Sequence, residues 1–337
     1  MRHLSDSTLI PPRIRPYHVS CESRRAYLRY MESNANENGP LEARYLAFLA
    51  TITNIRPQLH RYCARMTGSA MDGEDVVQDA LFEAYRKLDQ FDDSRPLSPW
   101  LFRIAHNRCI DFLRRQRARN AAETSITTPL LVQPIAPTSI GIRPAIEHLV
   151  VALPPKERAC VLLKDVFDYS LEEIAELVDS TIGGVKAALK RGRTKLATAP
   201  GPHPFQRPSN PRLTFVLQLY VERFNRRDWD GVRELIRADA RLRVADAFAG
   251  RIADSPYFGN YERSPIPWTM QMGEVDGEAA IIVLRRSADA RNPSSIVRVR
   301  IEGDRISSVV DYSHCPWVMQ NAAFVGSAST TVTVHVS

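Results

Sequence analysis

The chain has 337 residues, 44% of them apolar and 25% charged, with a net charge of +7. That length suits two or three domains, and the positive balance permits a nucleic-acid partner without requiring one. Five cysteines (Cys21, Cys63, Cys109, Cys160 and Cys315) form no C-x-x-C pair and meet no histidine at zinc-finger spacing, so neither a disulfide framework nor a metal site is expected, and the thiols suit a reducing cytoplasm. No apolar run approaches the roughly 20 residues needed to cross a bilayer, and Pro11, Pro12, Arg13, Arg15 and Pro16 interrupt any signal-peptide core.

Residues 1–40 carry Pro, Ser and Asn without a helical period and read as a flexible leader. A helical domain is expected over 41–119, opening with a helix at 41–66 that breaks at Pro57. In the next segment Val77, Leu81, Ala84 and Leu88 recur at helical spacing as a buried stripe, and Asp75, Gln78, Asp79 and Glu83 project from the opposite side. Such an acidic face has no use against phosphate. It is either solvated surface or a dock for a basic protein partner.

Directly downstream, Trp100, Phe102 and Phe112 are interleaved with Arg103, Arg108, Arg114, Arg115, Arg117 and Arg119, against Asp111 alone. Rings stack on unpaired bases while guanidinium groups follow the backbone, so single-stranded DNA is the implied ligand. The competing reading makes Trp100 helix core and the arginines an exposed helix end favoured by the dipole. Residues 120–141 are broken by Pro129, Pro134 and Pro137 and form a linker.

A second helical domain is expected over 142–199, with Pro154 and Pro155 at a helix start. Ser170-Leu171-Glu172-Glu173 is a capping box. The helix it opens carries Ile174, Ala175 and Leu177, a short break follows at 178–181, and a second helix runs over 182–196. This is helix-turn-helix spacing. Asp179 sits in the turn, where Asp tolerates a left-handed backbone. The second helix, with Thr181 at its start, bears Lys186, Lys190, Arg191, Arg193 and Lys195 on a scaffold of Val185, Leu189 and Leu196. It is suited to a major groove with phosphates on its flanks.

A Pro-rich tether at 200–211 leads to a third domain over 212–315. Helices at 213–224 and 230–238 precede strands at 240–244, 279–285, 295–301 and 305–310, an α+β order. Were this domain a cavity enzyme, Asp246, Asp311, Tyr312 and His314 would be its acid–base candidates. The tail, 316–337, ends in an alternating run that can add an edge to a sheet.

Four stretches carry a family resemblance. GEDVVQDALFEAYRKLDQF resembles region 2.2 of bacterial sigma factors, and PLSPWLFRIAHNRCIDFLRRQRAR resembles regions 2.3 and 2.4, with the pattern W-L-x-R-I-A-x-N followed by D-x-x-R-R. LPPKERACVLLKDVFDYSLEEIAELVDSTIGGVKAALKRGRTKLA resembles region 4 of the extracytoplasmic-function (ECF) group, with Asp179 where the family has Gly. Y-x-x-x-F-N-R-R-D-W-D-G-V-x-x-L-I-x-x-D-A, with the hairpin Gly303-Asp304-Arg305-Ile306, resembles the start and end of the SnoaL-like, NTF2-like cone.

The resemblance implies a multidomain fold: a sigma region 2 bundle and a region 4 helix-turn-helix, both all-α, followed by an α+β NTF2-like cone. It implies a cytoplasmic sigma factor that is not an enzyme and holds no cofactor. Asp75, Gln78, Asp79 and Glu83 would bind core RNA polymerase at the β′ clamp helices, with the β subunit also in contact. Trp100, Arg103, Asn107, Arg108, Arg114 and Arg115 would open and hold the −10 element as single strand, and Thr181, Lys186, Lys190, Arg191 and Arg193 would read duplex −35 DNA. An anti-sigma factor is a further implied partner; no membrane is. The cone is expected to regulate by contact, since tethering raises its effective concentration. Two alternatives of other classes stand beside this reading: an NTF2-like cavity enzyme or ligand sensor with a regulatory DNA-binding N-terminal part, and a helix-turn-helix repressor.

Overall fold

The computed structural model of the chain describes residues 40–92, 94–124, 152–198, 210–245, 247–286, 291–322 and 325–327. The expected leader up to residue 39, the linker from 125 and the tether up to 209 lie outside the described residues. Helix α1, Pro40–Thr67, runs through Pro57 without the expected break. Pro57 and Thr53, whose carbonyl loses its helical partner, are both exposed, so water can take the missing bond. Gly68 and Ser69 turn the chain into α2, Ala70–Arg86, where the Ser69 hydroxyl accepts from the Asp72 N–H. Val76, Val77, Ala80 and Ala84 form its buried stripe. The helices approach so closely that a Cβ on Gly73 would lie 2.6 Å from the Ala64 nitrogen.

Helix α3, Leu97–Thr124, crosses both and continues into the first residues of the expected linker. It buries Phe102, Ala105, Cys109 and Leu113 at helical spacing. Helix α4, Pro155–Val161, widens into a π turn at Leu162–Val166. Helix α5, Leu171–Leu177, opens with the expected capping box: the Ser170 hydroxyl accepts from the Glu173 N–H at 3.2 Å, and the Ser170 N–H donates to Glu173 Oε2 at 2.8 Å. Asp179 takes φ 51° in the turn before α6, Ile182–Thr198. The two helical units, separate by sequence pattern, share one apolar core. Phe167, placed by the π turn, stands edge-on to Tyr62 and Phe102 with ring centroids 5.9 and 6.3 Å apart, and buried Arg158 donates to the Met66 and Leu153 carbonyls.

In the C-terminal domain Asn210 caps α7, Pro211–Asn225, and Asp228 caps α8, Trp229–Glu234. The second helix ends earlier than the pattern suggests because Ile236 already pairs with Ile306. Seven strands follow among the described residues: β1 Ile236–Val244, β2 Phe248–Arg251, β3 Trp268–Val275, β4 Glu278–Arg286, β5 Arg291–Glu302, β6 Arg305–Asp311 and β7 Val325–Ser327. Their order in the sheet is β2-β1-β6-β5-β4-β3-β7, antiparallel except for β1 against β6. Strands β2 and β3, with the short helix α9 at Tyr257–Glu262, occupy a stretch in which the sequence pattern marks no element. Asp276 and Gly277, both at positive φ, close the β3–β4 hairpin. The tail does supply an edge, but from Val325–Ser327, which pairs β3, while the alternating run from residue 329 lies outside the described residues; before it stands an unexpected helix α10, Pro316–Asn321.

Both faces of this sheet are covered. Val297, Val299, Ile281 and Val283 pack inward against α7 to α9, and Ile296, Ile282 and Leu284 pack outward with α10 and with Ala70 and Met71 of α2. That double burial explains the unbroken apolar run of β4. Among the described residues, no helix is long and apolar enough to cross a membrane, and Cys63, Cys109, Cys160 and Cys315 are buried thiols.

Candidate functional site

Trp100, Arg103, Asn107 and Arg114, at i, i+3, i+7 and i+14, share one face of α3. Arg103, Asn107 and Arg114 are exposed, and Trp100 is half-buried with its ring 4.8 Å from that of Phe91. Arg114 is tied loosely to Asp111 at 3.0 Å, and Arg115 donates to the Asp111 carbonyl at 3.3 Å. Arg108 instead turns back to Glu83 at 2.5 Å. Phe102 departs from expectation as a strand-capturing ring: it is buried between Tyr62 and Phe167. Next to Asn107, burial pulls His106 down to about 4, and its Nδ1 lies 2.8 Å from the Tyr62 hydroxyl.

On α6, Thr181 is the cap residue, its hydroxyl accepting from the Gly184 N–H at 3.0 Å. A Cβ on Gly184 would lie 2.7 Å from the Ser180 hydroxyl and 3.2 Å from the Thr181 hydroxyl that caps the helix, so a larger residue here would have to turn those side chains aside. Lys186, Lys190 and Arg193 line a shallow groove with Lys164 and Thr194. Arg191 points elsewhere: it and Lys195 hold Glu157 at 2.9 and 2.8 Å, bracing α6 on α4. Arg193 is shared between groove and scaffold through Asp165 at 2.5 Å.

The acidic face of α2 is divided. Glu83 is held by Lys87 and Arg108 at 2.6 and 2.5 Å. Asp79 reaches solvent but is flanked by protein on its other sides, and that partial desolvation, followed by the charge of Asp75, raises its carboxyl. Asp75 and Gln78 are engaged by the C-terminal domain. Arg243 of β1 bonds Asp75 and donates to Gln78 at 2.6 Å. Arg298 of β5 grips Glu278 through two 2.6 Å bonds and reaches Asp72 at 2.8 Å and Asp75 at 3.4 Å. Burial works against the Arg298 cation, and Asp72 and Glu278 more than offset it, raising its pKa.

Nearby, Asp276 at the hairpin tip accepts from the Ala70 N–H at 2.7 Å, a carboxylate at the positive end of α2. The Trp317 indole donates to Glu74 at 2.7 Å, and Asn321 meets His60 at 3.1 Å. Glu74 is fully buried. Burial pushes its carboxyl up, but Arg56 at 2.6 Å, His60 and the bonds from Trp317 and Gln78 carry it below its usual range. Sequence pattern missed Asp72, Glu74, Arg243, Arg298 and Trp317 altogether; the Val-Arg alternation at 297–300 was the available signal for a basic outer sheet face.

With this geometry in place, the comparisons with known proteins are decisive. Residues 51–119 match the model of Sigma-70 region 2, and residues 143–196 match that of Sigma-70, region 4. The chain is 31% identical over 162 residues to the ECF RNA polymerase sigma factor SigW of Bacillus subtilis, covering 44% of this chain and 87% of the relative. The chain belongs to the ECF RNA polymerase sigma factor family. A second such factor, SigG of Mycobacterium tuberculosis, is 27% identical over 317 residues, 81% of this chain and 83% of the relative. The crystal structure of the M. tuberculosis ECF sigma factor SigJ is similar over 78% of this chain and 95% of that one, at 16% identity and a TM-score of 0.31.

The sigma factor therefore consists of helical sigma domains followed by a sheet-containing domain. Inside the latter, rings fill the space between sheet and helices. Phe224 lies at their centre, with centroids 5.0 Å from Trp229, 5.1 Å from Tyr220, 5.2 Å from Tyr261 and 5.4 Å from Trp268. The acid–base candidates do not converge. Asp311 is buried and accepts from Tyr257 at 2.9 Å, Tyr261 at 2.6 Å and the Ser313 N–H at 2.8 Å. Tyr312 faces the other side, 3.3 Å from Asp75. His314 is exposed, and Asp246 lies outside the described residues.

Proposed function

We propose that this sigma factor brings core RNA polymerase to promoters through three surfaces. The acidic side of α2, with Asp79 and Glu83 at its outer end, contacts core, whose matching surface must be basic. Trp100, Arg103, Asn107 and Arg114 take the opened −10 strand, ring on base and cation on phosphate, with Arg115 beside them. Lys186, Lys190 and Arg193 sit against −35 duplex DNA, with the phosphates carrying most of the affinity and Thr181 at the helix start. Arg108 and Arg191 act through their ion pairs, positioning α2 against α3 and α6 against α4. The single observation that carries this reading is the alignment of ring, amide and guanidinium groups along one open face of α3.

The C-terminal domain is regulatory rather than enzymatic in this reading. Its interior is occupied by packed rings, and Asp311, the buried carboxylate among them, already accepts from two phenols. The protein works in the cytoplasm, where polymerase and promoter DNA are. Run-off transcription with purified core polymerase tests the proposal. Core plus this chain yields a promoter-dependent transcript, and Trp100→Ala with Arg103→Ala lowers its rate about 30- to 1000-fold, two stacking or phosphate contacts at about 1–2 kcal/mol each, while leaving core binding intact. A transcript indifferent to those two changes would sink the −10 assignment.

A further inference from the structure

The acidic face that sequence pattern reserves for a basic partner already has one within the chain. Arg243 and Arg298 stand on the outer face of the C-terminal sheet, where strand alternation turns them away from the inner core. Arg243 and Arg298 already take both Asp75 oxygens and Arg243 the Gln78 amide oxygen, and Tyr312 stands on Asp75 from the same side, so the sheet occupies the approach that a polymerase cation would need. We propose that the outer face of this sheet is a ligand for the acidic side of α2, and that it and core polymerase exclude one another there. This rests on the reading of α2 as the polymerase contact.

The make-up of the interface suits a releasable dock. From the α2 side its apolar share is Ala70 and Met71, and the remainder is carboxylate, amide and backbone. Buried ion pairs gain little net over their hydrated state, so what opening loses is chiefly the apolar cluster that Ala70 and Met71 share with Ile282, Ile296, Val318 and Tyr312, and interdomain surfaces of this mixed kind ordinarily separate and rejoin. Covalent attachment keeps the sheet at an effective concentration on the order of millimolar, enough to hold a weak dock closed. Asp79, left exposed at the border of the covered patch, gives polymerase a first foothold from which the sheet is displaced. If closed exceeds open by about tenfold, apparent affinity for core falls by the same factor.

The test uses the full chain and purified core polymerase. Arg243→Glu sets a like charge against Asp75, and it is expected to bind core about tenfold more tightly than the unaltered chain. A second measurement needs no substitution: hydrogen exchange at 316–321, protected by the dock, should rise when core is added to the unaltered protein. Equal affinity of the two chains together with unchanged protection of 316–321 in the complex overturns the exclusion while sparing the sigma reading. Failure of both chains to bind core at any concentration overturns the polymerase contact itself.

Discussion

Reversing two charges, Asp75→Arg with Asp79→Arg, should weaken association with core polymerase by about 100-fold. Two opposing effects set that number. Charge pairs at a protein interface are worth on the order of 2 kcal/mol each when close, so losing two costs about 1000-fold in affinity. The same change repels Arg243 and Arg298, which now bond Asp75, and freeing the face returns about tenfold. Loss of recognition therefore wins over release. Titration of labelled chain with core polymerase reads the net effect, and an affinity equal to or above that of the unaltered chain would show that polymerase does not use this face.

The second large effect lies in the C-terminal domain. Phe224→Ala should destabilise that domain by about 3–5 kcal/mol, the usual cost of deleting a buried aromatic ring. Phe224 is fully buried and touches Trp229 and Trp268, so urea melts followed by tryptophan emission report directly on its surroundings. A change below about 1 kcal/mol would mean that the ring borders a roomy cavity, and the ligand-sensing alternative would return.

What could be read from the chain in advance follows the range of the forces involved. The capping box at Ser170, the stripe of α2 and the turn at Asp179 are local and were legible. Phe102 was misassigned by residue type, although its spacing with Ala105, Cys109 and Leu113 places it on the core side of α3. Helix α1 survives Pro57 because the orphaned carbonyl is wet, a matter of exposure that periodicity does not report. Strand β3 was hidden by Pro265 and Pro267 just before it, and its hairpin signal, Asp276-Gly277, went unused. Least legible was the dock. Asp72 and Glu74 look like ordinary solvated acids until strands more than 160 residues away bring Arg243 and Arg298 over the same helix.

Contact between the acidic helix and the transcription machinery is the claim on which the rest depends. A photocrosslinking residue at position 79, exposed and outside the covered patch, tests it most directly when the full chain is mixed with core polymerase and illuminated. The account predicts a covalent adduct with a polymerase subunit that is lost when Asp75 is also reversed to Arg. A chain that forms active holoenzyme yet gives no adduct from that position would contradict it.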